Sequence, residues 1–144
     1  MKCTTVIDPT REEELLIYAH ERTPLVDELE RLASAAPTLI GYDEGHIATL
    51  SPAEVCCVYT EEGRVYACTE HKKWQLRTRL YTLEAELGQS FIRINQSCLV
   101  NRAHIVRFET AIGGALRVVL CNGYRDYVSR RQLKTVKERI GFRL

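Results

Sequence analysis

The sequence predicts a mainly β fold of about eight short strands with roughly two or three short helices. Three observations predict it. From Thr38 onward the apolar residues mostly alternate with polar ones at the period of a half-buried strand. Turn signals (Asp43 to Gly45, Glu61-Glu62-Gly63, Gly113-Gly114 and Asn122-Gly123) punctuate these runs at hairpin spacing. Helical periodicity is confined to three brief stretches, each with its own start or stop residue.

Along the chain, Leu15 to Ala19 is a short apolar run that reads as a strand. Thr23-Pro24 then supplies an N-cap followed by proline at the first helical position, and Leu25, Leu29 and Leu32 form a helical stripe that Pro37 ends. Residues 1–45 therefore read as a strand–helix extension. Residues 46–144 read as the principal domain. "TLIGYDEGHIATL" and "VCCVYTEEGRVYACTE" read as hairpins. "RTRLYTLEAELG" breaks the pattern, with Leu80, Leu83 and Leu87 on one helical face and Gly88 at the stop position. After "SFIRINQSCLVNRAHI" come two more hairpin turns, and "VSRRQLKTVKERIGF" closes the chain as an amphipathic helix. In that helix Ser129 and Gln132 stand at capping-box spacing, and Leu133, Val136 and Ile140 share a face.

A chain of 144 residues, 45% hydrophobic and 27% charged, has the composition of a soluble globular protein. No run approaches the roughly 18 apolar residues of a membrane span, and "MKCTTVIDPTREEE" lacks the apolar core of a signal peptide, so a cytoplasmic location is expected. The six cysteines lie mostly in apolar strand-like runs, no C-x-x-C occurs, and His20, His46, His71 and His104 are scattered. Neither a disulfide scaffold nor a metal site is expected. The vicinal pair Cys56-Cys57 would point to opposite faces of a regular strand, which disfavours a shared ion. A redox sensor built on Cys56, Cys57 or Cys98 needs an exposed thiol of low pKa, and the apolar neighbours argue against one.

No nucleophile elbow, phosphate loop, zinc-protease motif or dinucleotide fingerprint is present. Ser97-Cys98 with His104 lacks a positioned acid or an oxyanion element, so no enzyme, cofactor or small-molecule substrate is expected. The charge is better organised. Residues 1–50 hold four basic and ten acidic residues, a net of −6, whereas the remainder holds 16 basic and 9 acidic, a net of +7. A basic C-terminal portion suits an anionic partner. In the last helix Arg130, Lys134 and Lys137 recur at i, i+4 and i+7, with Arg131 just inside the start and away from the apolar face. Such a stripe either presents cations to phosphates or is an ordinary solvated face. Asn95-Gln96-Ser97 forms a polar knuckle between two apolar runs. Its amides match the donor–acceptor pair of adenine in the major groove, while Asn95 and Ser97 equally suit a backbone-bonded turn. Ser97 and Asn101 read chiefly as turn-bracing residues, and Gln96 as exposed.

"FIRINQSCLVNRAHI" resembles the F-x-R-x-[HN]-x-S-x-[LI]-V-N-x-x-x-I signature of LytTR domains, DNA-binding modules of bacterial transcriptional regulators. "RLYTLEAELG" resembles the short helix ahead of that signature, and "VVLCNGYRDYVSRRQLKTVKERIG" its closing hairpin and last helix. The resemblance spans roughly residues 46 to 142. It implies an elongated antiparallel β fold that contacts successive major grooves through loops and the start of the last helix. It implies base contacts at Gln96, with Asn95 beside it, at Arg131, and more loosely at Arg64 in the loop after the "E-V" strand. Arg102, Arg130, Lys134 and Lys137 would hold phosphates. It further implies a homodimer on repeated half-sites of double-stranded DNA, and a small integral-membrane regulatory partner. Departures are Asn95-Gln96 for the common His-Arg, Cys98 for an aromatic residue, and Glu54-Val55 for Asp-Ile. The roughly 45 preceding residues are too few for a receiver domain of ~100 residues. The alternative is a protein-interaction module that docks on a membrane partner and binds little DNA.

Overall fold

The structure, a computed structural model, describes residues 1–12, 14–33 and 38–143. Its contacts divide the chain into two compact units, residues 1–35 and 36–144. In the first unit the helix begins where Thr23-Pro24 places it. α1 runs Pro24–Ala33, and the Val26 N–H donates to Thr23 Oγ1 at 3.3 Å. Arg22 bonds both Asp27 and Glu30 across its first turns. The expected strand at Leu15 to Ala19 does not form, and Leu15, Leu16 and Tyr18 are exposed. A strand needs a partner to satisfy its backbone, and these residues meet no ladder.

Among its described residues the second unit holds ten strands: β1 (Leu39–Asp43), β2 (His46–Leu50), β3 (Val55–Glu61), β4 (Arg64–Thr69), β5 (Lys73–Leu76), β6 (Phe91–Asn95), β7 (Cys98–Asn101), β8 (Ile105–Thr110), β9 (Leu116–Leu120) and β10 (Arg125–Val128). α2 spans Leu80–Leu87 and α3 Arg130–Ile140. The strands form an antiparallel seven-stranded sheet in the order β2-β1-β5-β4-β3-β7-β6 and a three-stranded sheet in the order β10-β9-β8. The first two hairpins turn through Glu44-Gly45 and Glu62-Gly63, where all four residues take positive φ (40°, 83°, 51° and 75°), the geometry that matches strand twist in a two-residue turn. The β1–β2 hairpin straddles the 45/46 division expected from sequence, because its strands pair from Leu39↔Leu50 to Asp43↔His46.

β5 is the strand that the sequence conceals. It is four residues long and carries Lys73 and Gln75, yet it lies between β4 and β1, pairing Ala67↔Trp74 and Tyr42↔Gln75. Gly41 makes this neighbour possible: a Cβ there would lie 2.8 Å from Trp74 Cβ and 3.0 Å from Leu50 Cδ1.

The seven-stranded sheet buries residues on both faces, and pleat alternation sorts them. Val55, Val58, Phe91 and Leu99 join Leu80, Leu83 and Leu87 of α2 in one core. Cys57, Ile92, Ile94, Cys98 and Val100 join Leu116, Val118 and Leu120 of β9, with Val128 and Val136, in the other. Double burial explains why β3, β6 and β7 contain near-continuous apolar runs. At one point alternation fails. The β3 register shifts between Val55 and Cys57, and this bulge brings Cys56 into the same core as Cys57, contrary to the opposite faces of a regular strand.

Among the described residues of this unit Asn101 is the buried polar one, 3% exposed. Its Nδ2 donates to the Val55 carbonyl at 2.9 Å and the Pro52 carbonyl at 3.3 Å, and its Oδ1 accepts from the Ala103 N–H at 3.0 Å. It joins the end of β7 to the entry of β3. Asn101→Ala is expected to destabilise the fold by roughly 2–3 kcal/mol, because a buried carbonyl and an N–H lose their partners. Urea unfolding measures this. Gly41→Ala is expected to cost about 1–3 kcal/mol through overpacking against Trp74.

Candidate nucleic-acid interface

The polar knuckle is the two-residue turn Gln96-Ser97 between β6 and β7. Neither residue has positive φ, so this is not the twist-matched turn of the earlier hairpins. The register shift between Arg93 and Asn95 accommodates it. The turn is then held by side chains. The Ser97 N–H donates to Asn95 Oδ1 at 2.8 Å, and Arg93 Nη2 donates to the Gln96 carbonyl at 2.8 Å while Nη1 bonds Glu84 of α2 at 2.7 Å. The Thr60 N–H donates to the Ser97 carbonyl at 2.9 Å, adding β3 to the brace. Gln96 itself is exposed, with no side-chain bond among the described residues.

The far side of the turn is tied to the start of the last helix. Asn95 Nδ2 donates to the Tyr127 carbonyl at 2.9 Å, and the Ser129 N–H donates to the Ile94 carbonyl at 2.8 Å. Ser129 caps α3, its Oγ accepting from the Gln132 N–H at 3.4 Å. The reciprocal half of a capping box is replaced, because the Ser129 N–H is committed to Ile94. Farther along α3, Arg139 donates to the carbonyls of Gln89 (2.7 Å) and Phe91 (3.2 Å), locking the helix over the start of β6. Gln96 and Arg131, 35 positions apart in sequence, thus stand on two braced backbones joined by two hydrogen bonds.

The cations divide into two groups. Arg11, Arg22, Arg31, Lys72, Lys73, Arg93, Arg107, Arg117 and Arg125 each lie against a carboxylate. Around Glu109, three arginines converge, and the hydrogen bond from Arg117 holds its carboxyl below the usual range. Arg64, Arg102, Arg130, Arg131, Lys134 and Lys137 have no such partner among the described residues, nor do Lys2, Arg77, Arg79, Arg139 and Arg143, of which Arg77 lies over the Tyr42 ring and Arg139 donates to backbone carbonyls. Arg130 and Arg131 occupy the first turn of α3, which contains no acidic residue. Cations at a helix N-terminus oppose the macrodipole, so this placement is unfavourable for the helix alone and suits an anion brought from outside. Arg64 begins β4 beside the Glu62-Gly63 turn, exposed, on the rim of an open cleft with Tyr42, Tyr66, Lys73 and Arg77. No hydrogen bond links it to the Gln96 turn or to α3 among the described residues.

Two features escaped the sequence reading. One is the bracing by Arg93 and Arg139, long side chains whose targets are backbone carbonyls. The other is a group of metal-ligating side chains. Cys56, His104 and Cys121, which appear scattered along the chain, have their ligand atoms within 4.8 Å of one another. Burial pushes the Cys56 thiol up to about 12, and the Cys98 thiol likewise to about 12. Both therefore remain thiols at neutral pH, which opposes a redox role for either acting alone.

Replacing Asn95 by alanine is expected to lower stability by about 1–2 kcal/mol, since two hydrogen bonds of the turn are lost. Gln96→Ala should stay within roughly 0.5 kcal/mol of the parent, because its side chain touches no partner. Chemical denaturation of the two variants side by side separates brace from exposed head.

No described helix is long and apolar enough to cross a membrane. The model of the LytTr DNA-binding domain family matches residues 45–141. Two relatives are named uncharacterized HTH-type transcriptional regulators of Staphylococcus aureus, in strains NCTC 8325 / PS 47 and MRSA252. Each is 37% identical over 103 residues, covering 72% of this chain and 70% of the relative. Among solved structures, a LytTr DNA-binding domain from Bacillus cereus superposes with a TM-score of 0.69 at 21% identity, over 73% of this chain and 97% of that one. The mainly β architecture is thus that of the solved domain. Among the described residues strands intervene between each α-helix and the next, so no pair of successive α-helices forms a helix-turn-helix. With two thirds of its length matched by the family and the signature strand, turn and helix start in place, the chain belongs to the LytTR family of DNA-binding domains.

Proposed function

We propose that this protein is a sequence-specific DNA-binding transcriptional regulator that reads the major groove with loops and the start of its last helix. One observation carries the reading: unpaired cations flank an exposed amide, and the backbones presenting them are hydrogen-bonded together. A rigid presentation lets phosphate contacts set the register in which base contacts discriminate. Gln96 and Arg131 are the base-reading side chains, and Arg64 reads from the separate β3–β4 turn. Arg102, Arg130, Lys134 and Lys137 hold phosphates. Asn95, whose Nδ2 and Oδ1 each make one bond, positions Gln96 and keeps a second N–H and lone pair for a base contact beside it. Ser97 braces the Gln96 turn through its backbone N–H and carbonyl, while Asn101 braces the other end of β7 against the entry of β3.

The N-terminal unit supplies contacts between proteins. α1 exposes Leu25 and Leu32 on the stripe read from the sequence, a face suited to a second copy of the chain. A homodimer formed this way would place two reading heads on repeated half-sites. The same exposed stripe favours the second reading, docking on a membrane-embedded partner.

Arg131→Ala is expected to cost about 1–3 kcal/mol on a site selected from random DNA, and much less on non-specific DNA. Lys134→Ala should weaken both alike and flatten the dependence of log K on log salt by about one unit. Gel-shift titrations at several salt concentrations measure both. An equal loss on both DNAs for Arg131→Ala would remove its base-reading role. For the extension, Leu25→Asp combined with Leu32→Asp is expected to convert a dimer to a monomer in sedimentation, while an unchanged mass would exclude α1 from the dimer contact.

A further inference from the structure

Cys56, His104 and Cys121 come from three separate places: the bulged start of β3, the short 3-10 turn Arg102–His104 after β7, and the residue following β9. Their convergence is built by the fold. The Cys121 N–H donates to the His104 carbonyl at 3.0 Å, and the bulge turns Cys56 toward the three-stranded sheet. His104 Nδ1 lies 3.5 Å from Cys56 Sγ and 3.1 Å from Cys121 Sγ. In a tetrahedral zinc site with ordinary bond lengths, neighbouring sulfur and nitrogen ligands stand about 3.6 Å apart. Both sulfur–nitrogen distances are near that spacing, and the two sulfurs lie within 4.8 Å of each other.

The imidazole is also oriented. Its Nε2 lies 2.8 Å from the Ala53 carbonyl, which can only accept, so Nε2 carries a proton, and in the neutral imidazole Nδ1 then faces the two sulfurs with its lone pair. A backbone carbonyl on the far nitrogen is the usual support of a metal-binding histidine. Cys56 is fully buried, His104 half-buried and Cys121 exposed, which leaves solvent access on one side of the cluster.

We propose that Cys56, His104 and Cys121 form a binding site for a thiophilic divalent ion of the zinc type, with water in the fourth position. Two sulfurs and one imidazole are the donor set of zinc in preference to magnesium or calcium, whose ligands are oxygens. On loading, each thiol gives its proton to the buffer as its sulfur–metal bond forms, so two protons are released and no electron moves. The bound ion clamps the entry of β3, in the seven-stranded sheet, to the end of β9, in the three-stranded sheet. It is a structural or sensory ion and belongs to neither the Gln96 turn nor the start of α3.

The full chain, reduced and stripped of metal, is titrated with cobalt(II) as a spectroscopic stand-in for zinc. The expected result is one cobalt per chain, with a thiolate-to-cobalt charge-transfer band and the intense visible bands of a tetrahedral site, displaced by zinc. Cys121→Ser, at an exposed position, should fold with an unchanged circular dichroism spectrum and bind cobalt at least about 100-fold more weakly, since even losing an outer support costs up to that much. His104→Gln is the second variant and should do the same. Cys68→Ser, which lies opposite Cys57 on β4, should retain the site. Absence of the charge-transfer band in the parent chain overturns the proposal, as does unchanged cobalt binding in Cys121→Ser. Loss of binding in Cys68→Ser with retention in Cys121→Ser places the ion elsewhere and overturns it too.

Discussion

The hydrogen-bond bridge between the end of β6 and the β10–α3 junction is the constraint on which the functional geometry rests. Asn95 Nδ2 to the Tyr127 carbonyl and the Ser129 N–H to the Ile94 carbonyl are short bonds between backbones that are far apart in sequence. Without them the Gln96 turn and the helix start would be two separate surface features. Each bond also removes an orphan: an unpaired strand-end carbonyl in one case, and an N–H just ahead of a helix in the other. The bridge therefore costs the fold little, because it satisfies groups that needed partners.

A second level of rigidity comes from double burial. Strands β3, β7 and β6 have α2 on one face and the three-stranded sheet with α3 on the other. A turn at the end of such strands cannot slide, since a one-residue slip would exchange the contents of two cores. Arg93 and Arg139 then extend this rigidity to the surface by donating to backbone carbonyls at the turn and at the start of β6. Gln96, Arg131 and Lys134 are exposed and bear no packing duty.

Electrostatics sorts the surface in the same sense. Most arginines and lysines away from the proposed interface are neutralised locally, as around Glu109, while those at the start of α3 have no counter-charge among the described residues. Two arginines at a positive helix end are a local cost that an external phosphate reverses. The placement is understandable for a chain whose working state includes a polyanion.

Much of this was legible in the residues. The Glu62-Gly63 and Asn122-Gly123 turns, the Thr23 and Ser129 caps, and the period change at Thr38 are local signals. Local signals survive because they depend on φ, ψ and neighbours a few positions away. What failed was non-local. β5 exists because Gly41 admits Trp74 beside it, and the Leu15 to Ala19 run stays unpaired because no strand receives it. Cys56 leaves its expected face because of one register shift, and with His104 and Cys121 it makes a cluster that spacing along the chain hides. The sequence by itself determined α1, α2, α3, the strands other than β5, and which family signature the chain bears. Tertiary structure alone decided what each bracing side chain binds, because hydrogen-bond partners such as Tyr127 for Asn95 are chosen by strand order and register, and neither is a local property.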